Sequence, residues 1–288
     1  MSKSISKKIY SLFAIALLFV SSVAAQKSDD LKVEDIISKH LDSIGTKEKR
    51  NEVKTQMAMG MSEFESKLPS RKATGKAVIV SDAKNLMFIT SLASREYPFE
   101  KIGFFAGNVS LPYITAGTRS PLGAFVNDHK TMLTEGLFTG TISSMWNPAN
   151  PQFGKGKFDS AGTKKIDGRK AYALNYYPNV SSTTEYSMRL YFDTETFQHL
   201  RSEYRHTIAA KTAKFGVLGE QSGVEILLIE SFGDFKNVDG LTLPHTYKIK
   251  YSTASNSGTY EYNWGVTISQ YIFNQKLADD FFSFEDKK

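Results

Sequence analysis

The feature that most constrains the fold is an alternation of large and small or polar residues near the C-terminal end. The large residues of this run are Tyr260, Tyr262, Trp264, Val266 and Ile268. Successive side chains of a β-strand point to opposite faces of a sheet, so this run places its large residues on one face. The pattern predicts a strand with one covered and one wet face, as is typical of antiparallel sheets.

Turn signals divide much of the chain into strands of this kind. Asp167-Gly168 and Asp239-Gly240 each separate two apolar runs and predict hairpins with type I′ turns. A further hairpin is predicted to turn at residues 193–196, and short apolar runs between about residues 54 and 104 predict more strands. The chain has 20 Phe and 14 Tyr, which favour pleated surfaces. Together these signals predict one large antiparallel sheet.

Two segments have helical periodicity instead. Residues 28–45 predict a helix with N-cap candidates at Ser28, Asp29 and Asp30 and a C-terminal stop at Gly45. A second helix is predicted to start at Ser120-Pro121, because Pro is tolerated in a first turn. The apolar stripe of the second helix is Leu122, Phe125, Val126, His129, Met132 and Leu133. Both segments are amphipathic and are expected to cover the sheet.

The first 25 residues have the pattern of a secretory signal peptide. Three lysines in the first eight residues precede an apolar run, Ile9–Val20, and small residues end at Ala25. The run is shorter than the ~20 residues that span a membrane. We therefore expect cleavage after Ala25 and a periplasmic or secreted protein, with a retained membrane anchor as the alternative. The remainder, 26–288, is predicted to be a single domain with a helical insertion at about residues 98–160.

Charge and cysteine content exclude several classes of function. Residues 1–25 carry three Lys and no acid, so 33 of the 36 basic residues remain against 30 acidic ones, a net charge of +3 rather than +6. This is too mild to indicate nucleic-acid binding. The chain has no Cys, which excludes disulfides, thiolate metal sites, thiol catalysis and a lipid-modified N-terminal cysteine.

No motif predicts catalysis, a cofactor or a metal site. The five His lack metal-binding spacing, and His40 and His129 lie on apolar helical stripes where packing explains them better. Glu225, Glu230 and Asp234 lie along one predicted strand, and paired acids could cleave glycosides. We interpret these three acids as solvated strand charges.

The predicted ligand-binding residues are apolar and belong to the predicted insertion. They are Leu122, Phe125, Val126, Leu133, Leu137, Phe138 and Trp146. One interpretation is that they simply complete the core. The other is that they form a movable cover that swings about Gly136 and Gly140 and opens a cavity for acyl chains.

Several stretches resemble the LolA/LolB-like superfamily of periplasmic lipoprotein carriers. They are "VEDIISKHLDSIG", "KKIDGRKAYALNYYP", "MRLYFDTETFQHLRSEYR", "DFKNVDGLTLPHTYKIKY" and "FNQKLADDFFSF". The resemblance spans most of the mature chain and consists of a pattern of turns and strands. It implies a mainly β fold with some α: a single large curved antiparallel sheet, an unclosed β-barrel, with helices covering its concave face. No site residue is carried over from the family.

The function expected from these features is a non-enzymatic periplasmic carrier or binder of a hydrophobic ligand. The expected partners are acyl chains of lipids or lipoproteins, with envelope proteins as further candidates and a transient membrane contact compatible with either. No cofactor and no nucleic acid is expected. The alternatives are a cell-envelope structural or protein-interaction module of the same fold, and an envelope hydrolase.

Overall fold

Twelve strands form one antiparallel sheet in the computed structural model, which describes residues 31–150, 152–153, 156–178, 186–209, 223–256, 258–278 and 280–284. The strands are β1 Thr55–Lys67, β2 Ser70–Asp82, β3 Leu86–Leu92, β4 Phe99–Phe105, β5 Asn108–Ser110, β6 Lys157–Ile166, β7 Arg169–Tyr177, β8 Tyr186–Asp193, β9 His199–Ile208, β10 Val224–Val238, β11 Leu241–Ser255 and β12 Gly258–Phe273.

The order of the strands makes the sheet open. It runs β5-β4-β3-β2-β1-β12-β11-β10-β9-β8-β7-β6, so β5 and β6 are its two edges. The pairing of β1 with β12 joins the N-terminal meander to the C-terminal one, with Phe64 opposite Trp264. This architecture confirms the predicted single antiparallel sheet that does not close.

The predicted hairpin turns are confirmed by their backbone angles. Asp167 and Gly168 have φ of 48° and 89°, and Asp239 and Gly240 have φ of 51° and 88°. Two consecutive positive φ values are the signature of the type I′ turn, whose twist matches that of the flanking strands. The third hairpin turns after Asp193, whose carboxylate accepts the amide N–H groups of Glu195 and Thr196.

The N-terminal helix is shorter than the sequence predicts. Helix α1 spans Val33–Ile44 and is followed by α2, Lys47–Glu52. It ends at Gly45 as predicted, but its N-cap is Lys32, which makes no side-chain capping bond. The capping candidates at residues 28–30, like the predicted signal peptide, lie outside the described residues.

The second predicted helix is broken in two. Its start is confirmed, because the Ser120 hydroxyl accepts the Gly123 N–H at 2.7 Å and Pro121 begins α3, Pro121–Asp128. His129 leaves the helical region with φ −126° and ψ 52°, and a short α4 follows at Thr131–Thr134. Two 3-10 turns complete this region, Gly140–Ile142 and Asn147–Ala149. Within the described residues, no helix is both long and apolar enough to cross a membrane.

These helical pieces belong to a segment that we call the insertion segment, residues 111–150. It is shorter than the predicted insertion at 98–160, since β4 and β5 take the first part of that range and β6 begins at Lys157. The insertion segment packs on the sheet face that carries Phe64, Ile249 and Trp264, here called the inner face. The opposite face is called the outer face.

Trp146 fastens the insertion segment to α1 and to the β8–β9 turn. Its indole N–H donates to His40 Nε2 at 2.9 Å, and His40 Nδ1 lies 2.9 Å from the Phe197 carbonyl. Because Nε2 accepts from the indole, Nδ1 carries the proton and donates to that carbonyl. Both side chains are 1% exposed. The interpretation of His40 as a packed and satisfied core histidine is confirmed.

We expect Trp146→Phe to lower the free energy of unfolding by about 1–3 kcal/mol beyond the loss of buried area, because it leaves His40 Nε2 buried without a donor. Urea unfolding followed by circular dichroism measures the effect. In a His40→Leu background the same change should cost less. Tyr260→Phe, at a side chain that is 49% exposed, is the control. Equal costs in the two backgrounds would contradict the assignment.

Candidate functional site

The seven predicted ligand-binding residues lie together under the inner face. Each is at most 3% exposed, and all belong to the main core cluster. They are Leu122, Phe125, Val126, Leu133, Leu137, Phe138 and Trp146. In this state they fill the inner face themselves, and their contact with a ligand stays a prediction.

The two glycines predicted as hinges are tightly packed. Gly136 and Gly140 have φ of 65° and 51°. A Cβ at Gly140 would lie 2.8 Å from the Phe232 ring and 2.9 Å from His199 Nδ1, and one at Gly136 would lie 2.3 Å from the Met145 carbonyl oxygen. Left-handed backbone and close approach therefore account for both glycines without a hinge.

A buried carboxyl lies at the C-terminal side of this helical cover. Glu230 of β10 is 0% exposed. It accepts hydrogen bonds from the Tyr247 hydroxyl at 2.5 Å, the Tyr204 hydroxyl at 2.8 Å and the Thr139 amide at 2.8 Å. Burial raises the pKa of Glu230 to about 7, although the three hydrogen bonds act in the opposite direction.

A second buried carboxyl lies at the N-terminal side. Glu100 of β4 is 3% exposed and accepts the Ser120 hydroxyl at 2.7 Å and the Tyr97 hydroxyl. Tyr97 in turn accepts the Trp264 indole N–H at 2.9 Å. Burial raises the pKa of Glu100 to about 7.

The two carboxyls hold the two ends of one stretch of the insertion segment. Ser120 caps the start of α3, and Thr139 immediately precedes the first 3-10 turn. The stretch between them contains six of the seven predicted ligand-binding residues. Two groups with pKa values near neutrality thus attach the apolar cover to strands on opposite sides of the sheet centre.

The interpretation of Glu230 as a solvated strand charge is wrong. Glu225 and Asp234 are exposed and pair with Arg205 and Lys236, but Glu230 faces the core. The sequence contains a signal for this, since Leu228 and Phe232 stand two residues to either side of Glu230. Period-2 alternation therefore puts Glu230 on the covered face. Glu100 follows the same rule, because Ile102 and Phe104 continue its face and are buried.

Three rings cluster where the insertion segment meets β8 and β9. His129 stacks on Tyr186 with ring centroids 4.5 Å apart, and its Nε2 lies 3.2 Å from His206 Nδ1. Burial, followed by the His206 charge, lowers the pKa of His129 to about 4. Across the described residues no three His, Asp or Glu side chains come together in a way that could hold a metal ion. The lowered pKa keeps His129 neutral near pH 7, and the arrangement is that of packed rings.

The buried carboxyls are poorly placed for catalysis. Each is enclosed by tyrosine hydroxyls whose pKa values burial raises above the ordinary value of 10. General acid–base chemistry needs a group within hydrogen-bond reach of a bound substrate. The carboxyl oxygens of Glu100 and Glu230 instead accept hydrogen bonds from groups inside the protein, so these residues position the cover.

A groove of about 560 Å³ crosses the outer face. Glu63 lies opposite both Thr74 and Gly265, and Gly265 lies opposite Lys248, so these side chains form one row across four strands. A Cβ at Gly265 would meet only the Glu63 Cβ, at 3.9 Å. The missing side chain thus leaves a gap between Glu63 and Lys248, and this gap is part of the groove.

No protein-family model matches the chain, and the comparison with curated proteins also finds no match. Several solved structures are similar. A LolA superfamily protein from Nitrosomonas europaea shares 15% identity over 88% of this chain and 98% of that one, with a TM-score of 0.46. A domain assigned to outer membrane lipoprotein sorting in Vibrio parahaemolyticus shares 10% identity over 86% and 94%, with a TM-score of 0.44. A DUF1329 family protein from Desulfovibrio piger shares 11% identity over 88% and 97%, with a TM-score of 0.40.

The open twelve-stranded sheet with helices on one face is the architecture that the sequence resemblance implies. At these identities and TM-scores the solved structures say nothing about the ligand of this protein.

The two buried carboxyls predict a fall in stability as the pH rises. Their folded-state pKa values of about 7 exceed the ordinary value of 4.5, so their contribution is complete below pH 4.5 and is lost as the pH rises through 7. The lowered pKa values of His40 and His129, about 4 against 6.5, act oppositely but only below pH 6.5. Between pH 6.5 and 7 the carboxyls therefore dominate among these four groups.

We expect Glu230→Gln to remove one half of that fall. The difference in unfolding free energy, wild type minus variant, should decline between pH 5 and 7 with a slope of at most about 1.4 kcal/mol per pH unit. Urea midpoints measured from pH 5 to 8 test this. Glu63→Gln, on the outer face, serves as the control. A difference that stays constant with pH would show that Glu230 does not titrate in this range.

Proposed function

We propose that the protein is a non-enzymatic binder or carrier of a hydrophobic ligand in an exported compartment, with acyl chains of lipids or lipoproteins as the ligand class. The observation that carries the proposal is the composition of the insertion segment. The inner face is covered by a stretch of apolar side chains that is attached to the sheet through two hydrogen-bonded carboxyls near its ends.

An apolar cover of this kind suits a reversible binder. Without it, the inner face would expose a contiguous apolar surface of the sort that drives self-association. Displacing the cover gives up its buried apolar area, and a bound acyl chain restores buried area at about 0.8 kcal/mol per methylene. One acyl chain therefore stabilises the open form by an amount comparable to the burial that is lost. The ends of the cover are attached by a few hydrogen bonds, which a modest free energy suffices to exchange.

The exported compartment follows from the signal-peptide pattern of residues 1–25. A soluble carrier of acyl chains in that compartment would meet the membrane only transiently, when it takes up or releases its ligand. The non-enzymatic assignment is supported by Glu100 and Glu230, the two buried acids with raised pKa values, which are committed to internal donors.

A second candidate, a protein-interaction module of the cell envelope, is favoured by the outer-face groove. Its lining combines the apolar Ile229 and Ala73 and the small Gly265 with the charged Lys72, Lys248 and Glu63. One aromatic ring at the end of β7 is also exposed. Tyr177 is 53% exposed, whereas Tyr176 is 2% exposed and donates to Glu135.

The proposal is tested by locking the cover onto the sheet. The Ser144 N–H donates to Ser81 Oγ at 2.9 Å, so Ser81→Cys with Ser144→Cys brings a thiol from the sheet next to the backbone of the cover residue that carries the second thiol. The natural chain has no Cys, and the engineered disulfide would be unique. We expect the oxidised variant to bind a fluorescent fatty acid at least about tenfold more weakly than the same variant reduced. The wild type treated with the same reductant is the matched control.

Equal binding by the oxidised and reduced forms would contradict the proposal that the ligand binds at the inner face. A pair of glycine variants then locates the site. Gly265→Phe fills the outer-face groove, whereas Gly233→Phe adds the same ring at a glycine with open space outside the groove. Loss of ligand binding in the first variant alone would transfer the function to the outer face.

A further inference from the structure

A small polar cleft lies where α1 and α2 meet the insertion segment. Its volume is about 90 Å³, several times the roughly 10–15 Å³ that one water requires. Arg50 and Asn51 lie toward the exposed end of the cleft, and the buried Gln56 and Thr141 lie deeper. The remaining lining residues are Ile44, Val53, Ser143, Ser144, Trp146, Ala149, Leu241 and Leu243.

The cleft is rich in donors and has no acid in its lining. Its one charged residue is Arg50, and none of the lining residues is Asp or Glu. Arg50 also takes part in none of the ion pairs found among the described residues. One of its terminal nitrogens donates to the carbonyls of Leu41 and Gly45 at the end of α1. These two hydrogen bonds hold the guanidinium beside the cleft and leave its other nitrogens available to donate to a ligand.

Two hydroxyls in the cleft have no partner within the described part of the chain. They are Thr141 Oγ1 and Ser144 Oγ, both buried atoms, and Thr141 as a whole is 5% exposed. Ser143 Oγ accepts the Met145 N–H at 3.0 Å, which leaves the Ser143 proton free to donate. An unpaired buried hydroxyl costs about 1–3 kcal/mol, so these groups require a partner that accepts hydrogen bonds.

The backbone around these hydroxyls is held in place. Gln56 donates to the carbonyls of Thr141 and Ile142 at 3.1 and 2.9 Å. Trp146 is fixed by its bond to His40. With the cover closed, the backbone that carries Thr141 is therefore held in place before any ligand arrives, which lowers the entropic cost of binding.

We propose that this cleft binds a small oxyanion, with the chemistry of a phosphate monoester, between the Arg50 guanidinium and the hydroxyls of Thr141, Ser143 and Ser144. Guanidinium groups match the oxygens of phosphate in a bidentate manner, and hydroxyls supply further donors. Exposed Glu48 does not line the cleft, and its pKa is lowered first by hydrogen bonds to its own backbone and to Thr46, with the charge of Arg50 as a smaller cause. The cleft shares Trp146 with the proposed hydrophobic site, but Arg50 and the three hydroxyl residues are not among the predicted ligand-binding residues of that site.

Isothermal titration with inorganic phosphate, at an ionic strength kept constant with sodium chloride, tests the proposal. We expect saturable binding by the wild type and about tenfold weaker binding by Thr141→Val, which removes one donor at nearly constant volume. Arg50→Lys keeps the charge and loses the fork, and it should also weaken binding. Ser62→Ala is the matched control, because Ser62 Oγ is likewise buried and unpaired but lies outside the cleft.

Urea unfolding keeps the test decisive if a variant is less stable. Thr141→Val should be at least as stable as the wild type without phosphate, since its hydroxyl has no partner among the described residues, and should lose the stabilisation that phosphate gives the wild type. The absence of any phosphate effect on the wild type, or an equal effect on Thr141→Val, would overturn the proposal.

A lysophospholipid with a phosphate monoester headgroup distinguishes the source of the anion. Tighter binding than free phosphate, lost in Thr141→Val, identifies a lipid headgroup, and equal binding identifies free phosphate.

Discussion

The structure depends on one requirement: the apolar face of a long open sheet has to be covered. Hairpins and the β1–β12 pairing satisfy the backbone hydrogen bonds of all the strands except at the two edges, but they leave a broad inner face rich in aromatic side chains. An open sheet cannot cover this face by closing into a barrel. The insertion segment, with α1, supplies the missing layer, and residues as large as Phe138 and Trp146 become fully buried.

Covering the face with a separate segment creates a second requirement, because the segment brings its own polar backbone groups into the core. Buried polar groups need partners. The Thr139 amide finds Glu230, the Ser120 hydroxyl finds Glu100, and the Trp146 indole finds His40. Each partner comes from a different part of the chain, so the cover is positioned by long-range polar contacts as well as by apolar packing.

The choice of carboxyls for two of these contacts has an electrostatic consequence. A buried carboxylate is penalised by desolvation, and tyrosine donors only partly offset the penalty, so both groups sit near the midpoint of their titration at neutral pH. A neutral amide in their place would not titrate, so its attachment of the segment would not depend on pH. The chain thus couples the attachment of its apolar cover to proton binding, and the energy involved is of the same order as the hydrogen bonds themselves.

Local sequence determined the turns, the alternation and most of the element types. Asp-Gly pairs dictate type I′ turns because positive φ is tolerated there, Ser120-Pro121 starts a helix because the cap and the ring suit a first turn, and Gly45 ends α1. These features depend on neighbours in the chain. The helical periodicity also identified apolar residues of the cover. The alternation of Leu228, Glu230 and Phe232 along β10 would likewise have placed Glu230 on the buried face.

Tertiary structure alone decided what those residues meet. Trp146 donates a hydrogen bond to His40, which is 106 positions away in the sequence, and the Thr139 amide donates to Glu230, which is 91 positions away. Both contacts depend on how the insertion segment lies on the sheet. Likewise, only the fold places His129, where the helix breaks, against His206 of β9, and Gly140 against Phe232. The polar cleft between Arg50 and Thr141 exists only because α2 and the 3-10 turn come to rest side by side. Contacts between such distant residues leave no period or spacing in the sequence, since they are set by the fold as a whole.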